Sequence, residues 1–119
     1  MYKVIVCGDR NWTNVQVIEE RLLQFDPRTT MIIEGGCRGA DSIAHQIATT
    51  YGFANCHMNA NWDVYNKAAG PIRNSWMLAL EPDIVLAFHN DLANSKGTMD
   101  TVRKARKADI KIEVVVDID

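Results

Sequence analysis

The sequence predicts an α/β protein with a mainly parallel five-stranded sheet and helices on both of its faces. Short apolar runs alternate with segments of helical periodicity along all 119 residues, and parallel strands need a helical crossover between them. The expected strand at residues 83–88 is continuously apolar after Asp83, which is typical of a strand buried on both faces. The other expected strands span residues 3–7, 30–34, 55–59 and 111–116.

The first two helices have recognisable beginnings and ends. Apolar residues recur at helical spacing from Val15 to Phe25, and Pro27 stops this helix. The second helix follows the second strand and spans residues 42–51, where Gly52 provides a C-cap. Both helices carry an apolar stripe, so both are expected to pack on the sheet.

The second half of the chain contains a loop and two more helices. Residues 60–70 show no clear period and are expected to form an ordered polar and aromatic loop. Pro71 suits a first helical position, and Pro82 ends that helix. Gly97 and Thr98 open the last helix.

Composition narrows the class of function. The chain has 13 basic and 15 acidic residues, a net charge of −2, which supplies no global attraction for nucleic acid or an anionic membrane. An apolar stretch of roughly 18 residues, the length that spans a bilayer, does not occur. We therefore expect a single domain over residues 1–119, with no membrane partner and with nucleic acid disfavoured.

The cysteines indicate a reducing compartment. Cys7, Cys37 and Cys56 are an odd number without a C-x-x-C pair, which argues against a disulfide scaffold and for a cytoplasmic location. All three are expected to be small buried hydrophobes. The spacing of His, Cys, Asp and Glu predicts no metal site, and no cofactor is expected.

The most informative stretch joins the second strand to the second helix. Glycines permit tight turns and close approach to a ligand, and a helix N-terminus attracts anions, so a strand, a glycine turn and a helix in this order indicate a phosphate cradle. A plain turn whose glycines only permit close packing is the alternative. The stretch is Gly35-Gly36-Cys37-Arg38-Gly39-Ala40-Asp41.

Further polar residues follow the ends of other strands. In an open parallel sheet, ligands bind beyond the carboxyl ends of the strands, so these residues are expected to surround one crevice. Two arginines and several helix N-termini there indicate a site for phosphate or pyrophosphate. The additional candidates are Gly8, Asp9, Arg10, Pro71, Arg73, Asn74, Ser95, Gly97 and Thr98.

Four motifs in order carry a family resemblance. They are Gly8-Asp9-Arg10 with Trp12, Gly35-Gly36-x-Arg38-Gly39-Ala40-Asp41, Ala69-Gly70-Pro71-Ile72-Arg73-Asn74 with Met77, and Ser95-x-Gly97-Thr98. With them the chain resembles the SLOG superfamily, in particular its small stand-alone bacterial and phage members. The superfamily includes Lonely Guy-type phosphoribohydrolases and DNA-processing protein A. The resemblance implies a Rossmann-like three-layer α/β/α fold that binds nucleotides or nucleotide-derived signals such as ADP-ribose and NAD-related molecules.

The hydrolase branch of that superfamily provides a sharper comparison. Its enzymes use an arginine in Arg-Lys-x-x-Met and a glutamate in Pro-Gly-Gly-x-Gly-Thr-x-x-Glu. This chain keeps Arg73 and Met77, but Thr101 stands where the glutamate belongs. The transition state of N-glycoside cleavage gains from a nearby carboxylate, which threonine cannot supply. Asp100 is adjacent but should project about 100° away around the helix.

Two hypotheses therefore remain, with a weaker third. The first is binding of a phosphorylated nucleoside derivative without turnover. The second is hydrolysis of a nucleoside monophosphate by Arg73 with a carboxylate from Asp9, Asp41 or Asp91. The third is single-stranded DNA binding, for which residues 103–107 supply a basic helix face.

Several side chains have open roles. Asp41 suits either a ribose contact or a helix cap, and Thr98 suits either a cap or a phosphate contact. Trp62 and Tyr65 can stack on a base or pack in a core or interface. His45 and His57 are expected to be surface or structural histidines, whereas His89 is the histidine placed for acid–base chemistry. Trp76, if exposed, is expected to anchor a homo-oligomer.

Overall fold

The computed structural model describes residues 1–117, and in it five parallel strands form one sheet in the order β3-β2-β1-β4-β5. This confirms the expected α/β class and the parallel sheet. The expected strand positions are met to within two residues at each end. The strands are β1 (Tyr2–Gly8), β2 (Thr30–Glu34), β3 (Ala54–His57), β4 (Ile84–Phe88) and β5 (Lys111–Val115).

Helices fill the crossovers and cover both faces of the sheet. One face carries α1 and α2, and the opposite face carries α4 and α5, which gives three layers. Alternate residues of β1 belong to the two cores: Val4 and Val6 face α1 and α2, while Ile5 and Cys7 face α4 and α5. The helices are α1 (Val15–Leu22), α2 (Ala40–Tyr51), α3 (Trp62–Tyr65), α4 (Ala69–Ala79) and α5 (Gly97–Lys107).

The strand order fixes where a ligand crevice can form. From the central strand β1, the chain adds β2 and β3 on one side and β4 and β5 on the other. The crossovers therefore diverge between β1 and β4, where Gly8 lies opposite Phe88. Such a switch point leaves an opening beyond the carboxyl ends of the two strands.

The expectation of a loop at residues 60–70 is wrong. The segment forms α3, then a 3₁₀ turn at Asn66–Ala68, and then the start of α4. The Asn61 side chain accepts a hydrogen bond from the Val64 N–H and begins α3. The helix α4 begins at Ala69, two residues before Pro71, because a proline is tolerated throughout the first turn.

Other departures are smaller. The helix α1 ends at Leu22 rather than Phe25, whose ring stacks on Tyr2 instead. Gly52 caps α2 in the left-handed conformation as expected. Cys7 is buried as expected, whereas Cys37 and Cys56 are only partly buried. Within residues 1–117, no helix is long and apolar enough to cross a membrane.

Candidate anion-binding crevice

A cavity of about 350 Å³ opens at the switch point between β1 and β4. It brings together residues from all four sequence motifs, although they lie up to 90 positions apart on the chain (Gly8 to Thr98). The predicted site residues that line it are Gly8, Asp9, Arg10, Cys37, Arg38, Asp41, Arg73, Asn74, Ser95, Gly97 and Thr98.

A second cavity of about 620 Å³ adjoins the first. Both are lined by Arg10, Cys37, Arg38 and Arg73, so these four residues form the boundary between them. The second cavity also contains the predicted Gly35 and Gly36, and its far side is formed by Asn59, Ala60 and Trp62. Of the predicted residues in the described part of the chain, Gly39, Ala40 and Pro71 line neither cavity.

The glycine turn has the backbone that its sequence requires. Gly36 and Gly39 have φ values of 73° and 78°, in the left-handed region that other residues rarely adopt. A Cβ atom at Gly39 would also overlap the carbonyl oxygen of Asp9. The turn therefore passes too close to the end of β1 for any side chain at this position.

The backbone donors of this turn are bound by the protein's own carboxylates. The N–H of Gly35 donates to Asp41 at 2.9 Å, and that of Cys37 donates to the same oxygen at 3.5 Å. The N–H of Gly36 donates to Glu34 at 2.8 Å. These three N–H groups are therefore already occupied, and an anion in the crevice would need other donors.

Asp41 is a buried carboxylate in the first turn of α2. Burial raises its pKa to about 6, while the Gly35 N–H and the Arg73 guanidinium act in the opposite direction. The structure thus shows Asp41 holding the glycine turn through hydrogen bonds. Its contact with a ribose stays a prediction.

Arg73 is buried at the start of α4 and is held by three partners. It donates to the carbonyl oxygen of Gly35, to Asn74 Oδ1 at 2.9 Å and to Cys37 Sγ at 3.8 Å. Asn74 in turn donates to the carbonyl oxygen of Gly97 at 3.3 Å. The pair Arg73-Asn74 therefore connects the glycine turn to the N-terminus of α5.

Three other cationic side chains reach the cavity from exposed positions: Arg10, Arg38 and Lys96. Arg38 makes one long hydrogen bond, 3.4 Å from its Nη2 to Asn11 Oδ1. The first residues of α5, Gly97 and Thr98, lie in the same wall. Cationic side chains beside the positive end of a helix dipole create a favourable environment for an anion.

The carboxylates near Arg73 differ from the hydrolase pattern. Thr101 is buried and lines the cavity. Asp100 accepts hydrogen bonds from Asn74 of α4 at 3.1 Å and from Lys104 of α5 at 2.8 Å, so its carboxylate links these two helices. The carboxylates that line the cavity are Asp9 and Asp41, whereas Asp91 lies outside it and binds Asn94.

Some lining residues were not predicted as ligand contacts. Met77 lies one helical turn after Arg73, and Asn11 follows directly on Asp9 and Arg10, so helical and sequential spacing could have indicated both. His89, proposed for acid–base chemistry, does line the cavity. Its Nδ1 accepts a hydrogen bond from the Asp91 N–H at 2.9 Å. Cys7, Lys96 and Thr101 complete the set.

The model of the YspA, cpYpsA-related SLOG family (YAcAr) matches residues 2–65, more than half of the chain. The protein belongs to this SLOG family. The matched segment runs from β1 to α3 and contains the glycine turn, while Arg73 and Gly97 lie beyond it. The resemblance inferred from the four motifs is confirmed.

Two individual proteins extend the comparison. The Gene 61 protein of Mycobacterium phage D29 is 33% identical in an alignment of 122 positions, which covers 94% of each chain. The crystal structure of DNA processing protein A (DprA) from Streptococcus pneumoniae superposes with a TM-score of 0.76 at 19% identity. The superposition covers 96% of this SLOG protein but 50% of the DprA chain, and it shows a common Rossmann-like fold.

Proposed function

We propose that the crevice binds a nucleotide or a nucleotide-derived ligand of the ADP-ribose, NAD-related or nucleoside phosphate class. One observation carries the proposal: a cationic cavity and a cavity with an aromatic wall adjoin across Arg10 and Arg38. Membership of the SLOG family supports a nucleotide-related role at this coarser level.

The first cavity suits the phosphate groups. Arg38 is exposed and only weakly engaged by Asn11, so its guanidinium is available for a bidentate contact with a phosphate. The N-terminus of the 11-residue helix α5 adds its dipole at Gly97. About 350 Å³ is within the usual range of small-molecule sites.

The second cavity suits the base or a second sugar. Trp62 is 50% exposed and forms part of its wall. The indole packs over Gly70, where an added Cβ would lie 3.4 Å from the ring. An exposed indole fixed by contact with the backbone is a suitable surface for stacking a base.

Thermal unfolding of the purified protein tests this proposal. AMP, ADP, ADP-ribose, cyclic ADP-ribose, NAD and inorganic phosphate are added separately, and each sample is afterwards analysed by chromatography. A ligand at 100 times its dissociation constant stabilises a protein by about 2.7 kcal/mol. We expect a shift with intact ligand for at least one nucleotide, and absence of any nucleotide-dependent shift would contradict the proposal.

Hydrolysis of the N-glycosidic bond is the second candidate, and one observation favours it. Asp41 lies in the same cavity as Arg73, and its pKa of about 6 suits general acid–base catalysis near neutrality. Release of free base during the thermal assay, abolished in Asp41→Asn, would support it. Intact ligand in every sample would exclude it for the nucleotides used.

Single-stranded DNA binding is the third candidate, favoured by the structural similarity to DprA. On the outer side of α5, Arg103, Arg106 and Lys107 are exposed, whereas Lys104 is bound to Asp100 and to the Pro71 carbonyl oxygen. Binding through this face would weaken steeply with salt, and each lost phosphate contact would flatten the slope of log K against log salt by about 0.7. A salt-independent or absent affinity for oligonucleotides would exclude it.

We also infer that the protein self-associates and works in the cytoplasm. Trp76 is 41% exposed and packs edge-on against the exposed Tyr65, so an aromatic surface is available for a second copy. The three cysteines are free thiols, which suits a reducing compartment. Sedimentation of the wild type and of Trp76→Ala tests the self-association.

A further inference from the structure

Three potential metal ligands meet outside the crevice, at the end of the sheet. They are Glu34 of β2, His45 of α2 and His57 of β3, and their ligand atoms all lie within 4.8 Å of one another. The sequence spacing does not reveal this group, because each residue belongs to a different element. The expectation of no metal site rested on sequence spacing and did not take this group into account.

The register of the sheet creates the cluster. Glu34 lies directly opposite His57 in the parallel pairing of β2 and β3. His57 Nδ1 lies 2.7 Å from Glu34 Oε2, and His45 Nδ1 lies 3.3 Å from the same oxygen. Two imidazole nitrogens thus converge on one carboxylate oxygen.

We propose that Glu34, His45 and His57 bind a zinc ion. Two histidines and one glutamate, with a further position left open, are an established ligand set for Zn²⁺. Bonds of about 2.0–2.1 Å in a tetrahedral arrangement separate the ligand atoms by about 3.4 Å. The Glu34 oxygen lies 2.7 and 3.3 Å from the two histidine nitrogens, and all ligand atoms lie within 4.8 Å of one another, so each spacing is within about 1.4 Å of the value that the ion requires.

Neighbouring groups orient these ligands. The Gly36 N–H donates to Glu34 Oε1 at 2.8 Å, and Asn55 Nδ2 donates to Glu34 Oε2 at 3.2 Å. Asn55 Oδ1 lies 2.6 Å from His45 Nδ1, so Zn²⁺ would have to take the place of the proton that these two atoms share. Hydrogen bonds that fix the first ligands are a usual part of a metal site.

Burial and access also fit an ion. Glu34 has no exposed surface, and a buried carboxylate requires a positive partner or strong hydrogen bonds. The side chains of His45 and His57 are 44% and 39% exposed, so the ion can reach the cluster from solvent. The site is separate from the proposed nucleotide cavity, but Gly36 links the two through Glu34.

Titration of the chelator-treated protein with Zn²⁺ or Co²⁺ tests the proposal. We expect one Zn²⁺ per chain by calorimetry, a rise in the unfolding temperature, and a visible Co²⁺ spectrum of a four- or five-coordinate site. Mg²⁺ should not compete, because it prefers oxygen ligands in an octahedron.

Single substitutions test whether His45 and His57, and not other histidines, bind the ion. His45→Gln and His57→Gln should each weaken Zn²⁺ binding by about 100-fold or more, and Asn55→Ala by about 10- to 100-fold, as expected for a residue that orients a ligand. His89→Gln is the matched histidine control and should bind as the wild type does. Circular dichroism establishes that each variant is folded, and if one histidine variant unfolds, the other decides.

Two results would overturn the proposal. One is the absence of saturable Zn²⁺ binding to the wild type. The other is unchanged affinity in a folded His45→Gln or His57→Gln variant. In either case the cluster is a hydrogen-bonded network that stabilises the edge strand β3. Nucleotide binding by the chelator-treated protein is measured separately, so failure here leaves the proposed nucleotide site unaffected.

Discussion

The guanidinium of Arg73 donates a hydrogen bond to the carbonyl oxygen of Gly35 and so fastens the start of α4 to the turn after β2. A Cβ atom at position 35 would lie 2.5 Å from a guanidinium nitrogen. A side chain at position 35 would therefore displace the guanidinium from its present contacts. Two motifs separated by 38 positions along the chain form one structural unit.

The substitution Arg73→Lys should destabilise the fold. Lysine keeps the charge, but its single ammonium group cannot reproduce the contacts with Gly35, Asn74 and Cys37. We expect a loss of about 1–3 kcal/mol in the free energy of unfolding, measured by urea denaturation. The exposed Arg103→Lys is the control and should change it by less than about 0.5 kcal/mol. Equal stabilities would show that the buried hydrogen bonds contribute little.

Gly39 and Gly52 should differ in how much a side chain costs. Both have positive φ values, 78° and 81°, but only Gly52 has the ψ of the left-handed helix, 24°, whereas ψ at Gly39 is −127°. A Cβ at Gly39 also overlaps the Asp9 carbonyl oxygen, while among residues 1–117 nothing lies within 4 Å of one at Gly52. Gly52→Ala should cost about 1–2 kcal/mol, the strain of a left-handed alanine. Gly39→Ala should cost clearly more in the same denaturation experiment. Similar costs would mean that the turn relaxes away from β1.

Asp41 should make stability depend on pH in the direction opposite to that of a salt-bridged carboxylate. Its pKa rises on folding from 3.8 to about 6, chiefly by burial, so the folded protein binds this proton more tightly than the unfolded chain. The associated stability is complete below about pH 4 and is lost as the pH rises through about 6. Relative to Asp41→Asn, the wild type should lose about 2 kcal/mol between pH 4 and pH 7, because part of the full effect of about 3 kcal/mol falls below pH 4.

Denaturation curves of both proteins at several pH values measure this difference. Because the comparison uses the change with pH, a constant offset caused by the new amide does not affect it. A difference between the two proteins that stays the same from pH 4 to pH 7 would contradict the assigned pKa. A difference of the opposite sign would indicate that the Arg73 charge outweighs burial.

Trp62→Ala should distinguish ligands with a base from ligands without one. Stacking on an aromatic side chain contributes about 1–3 kcal/mol per base, so the affinity for ADP should fall by about 5- to 150-fold. The affinity for inorganic phosphate should not change. Tyr51→Ala is the control, since Tyr51 is an exposed aromatic residue that lies outside both cavities and outside the surface proposed for self-association. Equal losses for both ligands would place the base elsewhere.

Much of the fold followed from local patterns. The apolar runs located all five strands, and Pro82 and Gly52 marked helix ends correctly, because these signals depend on neighbouring residues only. The prediction of a loop was wrong for Trp62 to Ala68, because α3 has a single turn and buries none of its residues. A helix of that kind has no apolar stripe from which it could be predicted.

The sequence predicted which residues line the candidate site better than it predicted their hydrogen bonds. Strand-end reasoning brought Arg10, Arg38 and Thr98 to one cavity. It could not show that Asp41 and Glu34 occupy the N–H groups of the glycine turn, since that depends on side-chain direction. The cluster of Glu34 with two histidines depends on the register between β2 and β3 and on the position of α2, which local sequence patterns do not reveal.

Isothermal titration of the wild type and Arg38→Ala with the nucleotide that gives the largest thermal shift tests the proposed nucleotide site most directly. Arg38 lines both cavities and, within residues 1–117, its side chain makes only one long hydrogen bond, so its removal should leave the fold intact. We expect one binding site per wild-type chain and an affinity about 10- to 150-fold weaker in Arg38→Ala, the effect of losing a charged hydrogen bond. Arg28→Ala, which removes an exposed arginine paired with Asp26, should bind as the wild type does. Equal affinities in wild type and Arg38→Ala, or no binding by the wild type, would contradict the account.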